Sequence, residues 1–282
     1  MPAVLDGTNG LTFNDGTLMG SANSLGMRNA LFNADFRINQ RGYVSAATLA
    51  AGAYGHDRFK AGASGGDYSF TQLNSSTQVT IASGKSLIQV VEDKNVVGGS
   101  YVLSWTGTAL ARVGVDSATP SGTFVVSPVL ITGQTAGTTM SVEFNAGTLA
   151  TAQLELGTVA TPFERRPIGL ELALCQRYFE RIGGDTTRFN LGYCAPSSAT
   201  NGHGNFTLSV KKRATPTVTF TGATLFRFLG ANQGVGCTVS TADADTTSIS
   251  YTITATGMTS GAVNLVQSQD NQQPSIDISA EL

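Results

Sequence analysis

Between residues 29 and 164 apolar and polar positions trade places at every second residue, or gather in short apolar runs bounded by Gly, Ser and Asn. NALFNADFRINQRGY opens the series, and YSFTQLN, TQVTIAS, SLIQVVED, SYVLSWTGT, ALARVGVD, GTFVVSPVLIT, TTMSVEFNAG and TAQLELG continue it. A period of two is what a half-buried strand requires, because successive side chains point to opposite faces of the sheet. About eight to ten short strands separated by turn residues predict a β-sandwich of jelly-roll type. Residues 44–55, VSAATLAAGAYG, have helix-compatible alanines but two glycines, and read as a loop.

The period changes after Gly157. Pro162 and Pro167 bracket FERR, and each fixes its own φ while holding the residue before it extended. Residues 161–167 therefore read as a stiff connector. A helix is predicted over 168–181, stopped by Gly183 and Gly184. At 100° per residue Leu170, Leu172, Leu174, Cys175, Tyr178 and Phe179 cover an arc of roughly 200°, with Gln176 and Glu180 opposite. That arc is wider than one sheet can cover, so burial between the chain's own domain and neighbouring copies is expected. From Phe189 the strand pattern returns, in about seven segments that predict a second sandwich. Residues 1–28 read as a leader with one strand at Leu11, Thr12 and Phe13 and a turn at Asn14, Asp15 and Gly16. Too apolar-poor to fold alone, the leader must pair with another chain or with the rest of this one. The expected fold class is all-β: two jelly-roll-like β-sandwich domains joined by a proline elbow and one α-helix. The expected divisions are 1–28, 29–164, 165–184 for the connector helix, and 185–282.

Composition narrows the function classes. Of 282 residues 41% are apolar, enough for a core, but only 13% are charged, about half the usual ~25%. Ser, Thr, Asn, Gln and 33 glycines must cover the surface, as suits extracellular and virion β-proteins. Net charge is −2. The basic groups Arg165 with Arg166, and Lys211 to Arg213, are short and read as a solvated strand or turn rather than a nucleic-acid surface. Cys175, Cys194 and Cys237 are odd in number and widely spaced, which predicts reduced, buried thiols rather than disulfides or a zinc site. MPAVLDGTNG lacks the basic and apolar regions of a secretory signal, and no run approaches the ~20 apolar residues of a membrane helix. Release by lysis or by assembly is the expectation. No P-loop, dinucleotide fingerprint, nucleophile elbow or metal-ligand spacing is present, so no cofactor, metal or catalytic residue is expected. GASGGD reads as turn chemistry.

Three segments together resemble bacteriophage tail-fibre and receptor-binding tail proteins. NALFNADFRINQRGY with the later YGHDRFK resembles the start of a jelly-roll module common in phage tail proteins. QLELGTVATPFERRPIGLELALCQRYFE resembles that module's last strand, its exit and the helix that follows. VKKRATPTVTF resembles a strand of the C-terminal domains of the same proteins, and LTFNDGT a short fibre-linker strand. The resemblance covers residues 11 to about 220. It implies a homotrimeric virion fibre component, made in the host cytoplasm and attached to other tail or baseplate proteins by its N-terminus. It further implies a carbohydrate-binding-module-like jelly roll and a distal domain that adheres to a host surface glycan or outer-membrane protein. The alternatives are a virion-associated polysaccharide depolymerase and a purely structural tail or baseplate connector.

Candidate residues follow from both readings. Asn33, Asp35, Arg37, Gln40 and Arg41, with Asp57 and Arg58, either line a ligand groove or form a scaffold in which Asp57 pairs with Arg41 or Arg58. Glu155, Glu164, Arg165 and Arg166, with Arg177 and Arg181, concentrate charge at the elbow. Glu155 and Glu164 could serve as acid and base, but Glu–Arg pairs that set the angle of the elbow are the simpler reading. Leu170, Leu174 and Tyr178 are the interface candidates on the helix. Tyr101 and Trp105 share one strand face and form either a sugar-stacking platform or core packing. Tyr193, Phe226, Phe228 and Tyr251 pose the same question. His203, with Asn201 and Asn205, lies in a Gly- and Asn-rich stretch that reads as an exposed loop and a candidate receptor contact.

Overall fold

Polar side chains bind the backbone of residues 29–59 so thoroughly that this stretch forms no strand, in contrast to the expectation for NALFNADFRINQRGY. In the computed structural model, which describes residues 4–6, 10–12, 18–19, 26–184, 188–230, 233–269 and 272–282, Asn33 adopts φ 55°. It accepts from the Ile38 N–H at 2.8 Å and donates to Ile38 O and Asp57 O. Asn39 likewise accepts from the Tyr43 N–H at 2.8 Å. These side chains satisfy the groups that a ladder would use. The stretch coils and still buries Leu31, Phe36, Tyr43, Leu49 and Phe59 in the core.

The chain forms two compact units, residues 1–168 and 169–282. In the first, β1 (Val4–Asp6), β2 (Gly10–Thr12) and β3 (Leu18–Met19) pair antiparallel in that order. The leader strand thus finds its partners locally. Phe13 and the Asn14–Asp15–Gly16 turn lie outside the described residues. The nine strands that follow are β4 (Lys60–Ala61), β5 (Tyr68–Gln72), β6 (Thr77–Ile81), β7 (Leu87–Val91), β8 (Gly99–Thr106), β9 (Ala111–Gly114), β10 (Val129–Gln134), β11 (Met140–Phe144) and β12 (Gly147–Leu156). They make a five-stranded sheet, β10-β8-β12-β6-β5, and a four-stranded sheet, β4-β7-β11-β9. Leu103, Leu154 and Val79 of one sheet share a core with Leu87, Val142 and Phe144 of the other. Each such side chain contributes about 1.5–3 kcal/mol by leaving water. This is the β-sandwich the alternation predicts.

The second unit begins with α1 (Ile168–Gln176), which is followed by β13 (Phe179–Gly183), β14 (Asn190–Pro196), β15 (Asn201–Thr207), β16 (Thr217–Thr221), β17 (Phe226–Gly230), β18 (Gln233–Ala244), β19 (Ser248–Thr254), β20 (Asn264–Ser268) and β21 (Ser275–Ser279). The helix is therefore shorter than predicted. Residues 179–183 join β21, with Phe179 opposite Ser279 and Ile182 opposite Ile276, and a five-residue ladder replaces one further turn of helix. The wide apolar arc divides as well. Cys175, Tyr178 and Glu171 are buried, Leu174 is half-buried, and Leu170 is 41% exposed. Glu180, placed on the solvent side by the helical wheel, is buried in β13. The six strands β14-β15-β19-β18-β17-β20 close into a barrel, and β13-β21-β16 form a separate sheet. Closure corrects the expectation of a second sandwich. β17 pairs with both β18 and β20, and β14 with both β15 and β20, so no barrel strand is left as an open edge.

Candidate functional site

On β15 side chains alternate cleanly. Gly202, Gly204 and Phe206 turn toward the barrel, while Asn201, His203, Asn205 and Thr207 are exposed. The stretch read as a loop is a strand, and its glycines serve packing. A Cβ on Gly204 would lie 2.4 Å from Tyr193 O and 2.5 Å from the Tyr251 hydroxyl, so only glycine lets β14 and the Tyr251 ring approach this closely. Tyr251 donates to Tyr193 O at 3.0 Å. Burial raises its pKa above the ordinary tyrosine value, which keeps it a donor.

Register extends the polar face across three strands. Asn201, Thr254 and Thr238 form one row, His203, Thr252 and Ser240 the next, and Asn205, Ser250 and Asp243 a third. Thr252 Oγ1 and His203 Nδ1 are 3.3 Å apart, and Thr254 Oγ1 donates to Asn201 Oδ1 at 3.4 Å. At the edge of this face Tyr193 is 66% exposed and Val263 is also exposed. They border an open cavity of about 440 Å³ with Ala195, His203, Asn205 and Ser250, floored by Gly204 and Tyr251. No Asp, Glu, Lys or Arg lines it. The arrangement offers one aromatic face and a set of neutral donors and acceptors, which is the chemistry of an uncharged, hydroxyl-rich ligand. With no carboxylate among its lining residues, the cavity holds no acid–base pair for glycoside cleavage.

The other aromatic candidates lie elsewhere. Tyr101 and Trp105 are 3% and 7% exposed, which corrects the platform expectation: their strand face is the core face of β8. Trp105 Nε1 donates to Ala109 O at 2.8 Å and its ring meets Phe144 edge-on. Phe226, Phe228 and Tyr251 are buried in the barrel. Of the aromatic residues singled out in the sequence, Tyr193 alone reaches solvent, and its spacing in the chain carries no signal of that.

The charged motifs assemble a scaffold. Asp57 is fully buried, accepts from Gln40 N at 2.7 Å and from Gln40 Nε2 at 3.0 Å, and pairs with Arg41 at 3.3 Å. Arg58 donates to Val90 O at 2.6 Å. Arg37 pairs with Asp35 at 2.5 Å and donates to Arg166 O. At the elbow, Glu164 accepts from Asn29 N at 2.9 Å, Arg166 donates to Leu31 O at 3.2 Å and also to Asn29 O, and Arg165 bonds Ser75 O. Glu155 is buried and accepts from Thr161 N and Thr161 Oγ1. The elbow is thus tied to residues 29–37 of its own unit. Arg181 makes a two-point pair with Asp277, 2.6 Å at each contact. The basic run does not all face water either: Lys212 is 1% exposed and pairs with Glu180 at 2.6 Å. His56 is buried among aromatic rings. Cys175, Cys194 and Cys237 are free and buried. Among the described residues no group of three or more His, Cys, Asp or Glu is placed to hold a metal ion, and no helix is long and apolar enough to cross a membrane.

No protein-family model matches the chain, and no curated protein is a significant match. Among solved structures, recombinant discoidin II of Dictyostelium discoideum is similar over 90% of this chain and 93% of that one, at 9% sequence identity and a TM-score of 0.22. A score that low relates no residue of one chain to a residue of the other.

Proposed function

We propose that the protein is a phage virion tail-fibre component that adheres to a host-surface glycan through the outer face of its C-terminal barrel. The observation that carries this reading is Tyr193, a large aromatic ring left in solvent at the mouth of an uncharged cavity lined by His203, Asn205 and Ser250. An aromatic ring exposed beside polar groups offers what a binding surface uses, since aromatic residues supply much of the energy of such contacts. The virion setting rests on the three sequence segments that resemble tail-fibre proteins. The bonds from Glu164 and Arg166 to Asn29 and Leu31 give the first two segments a shared scaffold role. The working particle is a homotrimer attached by its N-terminus, which multiplies a weak single-site affinity by avidity. The reading is of a binding protein, not a hydrolase.

A glycan array probed with the full chain and with Tyr193→Ala tests it. Binding to a defined glycan set that falls about tenfold or more in the variant, about 1.4 kcal/mol, supports the proposal. No binding by the native chain, with release of reducing sugar from host capsule, favours a depolymerase and overturns it.

A further inference from the structure

We infer that the N-terminal sandwich carries a second pocket, chemically distinct from the barrel face, for one uncharged hydroxyl-rich unit: a single sugar ring or a polyol. It lies between the 62–67 loop and the outer side of the four-stranded sheet. Val142 and Phe144 of β11 point into the core, so Glu143 points outward. The carboxylate is nonetheless nearly buried, and it accepts from Ser86 Oγ at 2.6 Å and from Arg112 Nε at 2.7 Å. The Arg112 guanidinium lies over the Phe124 ring, 4.6 Å from its centre, and reaches Gly122 O only at 3.4 Å. Lys85 donates to Ser64 O at 2.9 Å and stands 3.6 Å from Asp67. Asn145 accepts from Leu110 N at 2.8 Å, and among the described residues its amide nitrogen has no protein acceptor. Lys85, Arg112, Glu143 and Asn145, with Ala63 and Ala146, border a half-open pocket of about 310 Å³, at the small end of ligand sites.

The glycines of GASGGD hold the loop down. A Cβ on Gly62 would sit 2.0 Å from Ser86 Oγ and 3.0 Å from Glu143 Oε1. Gly65, at φ +88°, would put one 2.9 Å from Lys85 Nζ. This explains a motif that turn geometry alone leaves over-supplied with glycine.

Charge and valence select the ligand. In the wall Arg112 balances Glu143, and Asp67, behind Lys85, balances the lysine, so the site is close to neutral as a whole. An anion would meet the Glu143 carboxylate, and a cation would meet two positive groups. Arg112, Lys85 and Asn145 keep donors to spare, and each Glu143 oxygen keeps an open lone pair. A hydroxyl group both accepts and donates, and neighbouring hydroxyls on a ring satisfy both kinds of group at once.

The experiment is saturation-transfer NMR on the full chain with methyl glycosides of neutral hexoses, glycerol and glucuronate. Neutral glycosides are expected to bind. In a Tyr193→Ala background, Ala63→Trp, at an exposed rim position, should abolish the signal, and Ser64→Tyr should weaken it at least fivefold, both with unchanged melting temperature. The Tyr193→Ala background removes the barrel face from the signal, which keeps this result separate from the barrel-face proposal. Glycerol that displaces the glycoside supports the pocket and assigns it to polyols. Tighter binding of glucuronate, or glycoside binding that neither rim variant changes, overturns the inference.

Discussion

His56 has aromatic neighbours on several sides: the Phe36, Tyr43, Tyr68 and Phe70 rings lie with centroids 4.8–6.4 Å away. Its Nδ1 is 2.6 Å from the Tyr68 hydroxyl. Burial disfavours the imidazolium and lowers the pKa from 6.5 to about 4. In the window between those values the unfolded chain binds a proton that the native chain refuses. The stabilisation is therefore complete above pH 6.5 and is lost as pH falls toward 4, by about 3 kcal/mol in all. Denaturant midpoints at pH 7 and pH 4.5 should fall steeply for the native chain and much less for His56→Gln. Equal falls would assign the acid limb to other groups. Single residues also set the limit of what could be read without coordinates. Trp105 and Tyr193 are both aromatic residues at alternating strand positions, and no local pattern separates them. One is core and one is surface because β8 has a second sheet packed on its aromatic face, whereas Tyr193 lies on the exposed outer face of β14. Asn201, His203 and Asn205 were legible only as polar residues of a loop; that they share one strand face follows from the pairing of β15 with β14 and β19. Gln40 and Asn29, which bind Asp57 and the 152–154 backbone, were legible only as polar residues.

At the scale of elements, the junction of α1 and β13 shows how a strand partner overrides a helical period. CQRYFERI carries apolar residues at helical spacing, yet β21 offers a five-residue ladder and takes Phe179–Gly183. Once residues 179–183 are strand, Glu180 turns inward and needs a cation. Lys212 supplies it, and donates as well to Gln176 O at 2.5 Å, while Ser209 Oγ donates to the other Glu180 oxygen. Removing one partner of such a pair strands a buried charge. Lys212→Met should destabilise the second unit by about 3–5 kcal/mol, measured as a shift in urea midpoint. Adding Glu180→Leu should recover most of the loss. A Lys212→Met protein as stable as the native one would show that water reaches the pair. Lys211, the exposed neighbour, provides the control, and Lys211→Met should change little.

At the scale of the whole molecule, the proposal of a trimer makes a direct prediction. Light scattering of the purified chain should give three times 29.2 kDa, and Leu170→Asp, a change at an exposed apolar helix position, should shift it to monomer without loss of secondary structure. A native monomer at micromolar concentration would remove the trimer and the avidity that depends on it. The sequence by itself determined the all-β class, a first sandwich of about eight to ten strands, the position of the elbow and the start of the helix. Each of these follows from local rules: a side-chain period of two, and two prolines that fix φ. Tertiary structure alone decided that the last six barrel strands close on themselves, that the KKR run hides a buried lysine, and which aromatic ring is left in water. Those outcomes depend on pairings between residues far apart in the chain, such as Phe226 with Ser268 and Cys194 with Asn264. A strand's own pattern states that it has two faces, but only its neighbours determine which face is wet.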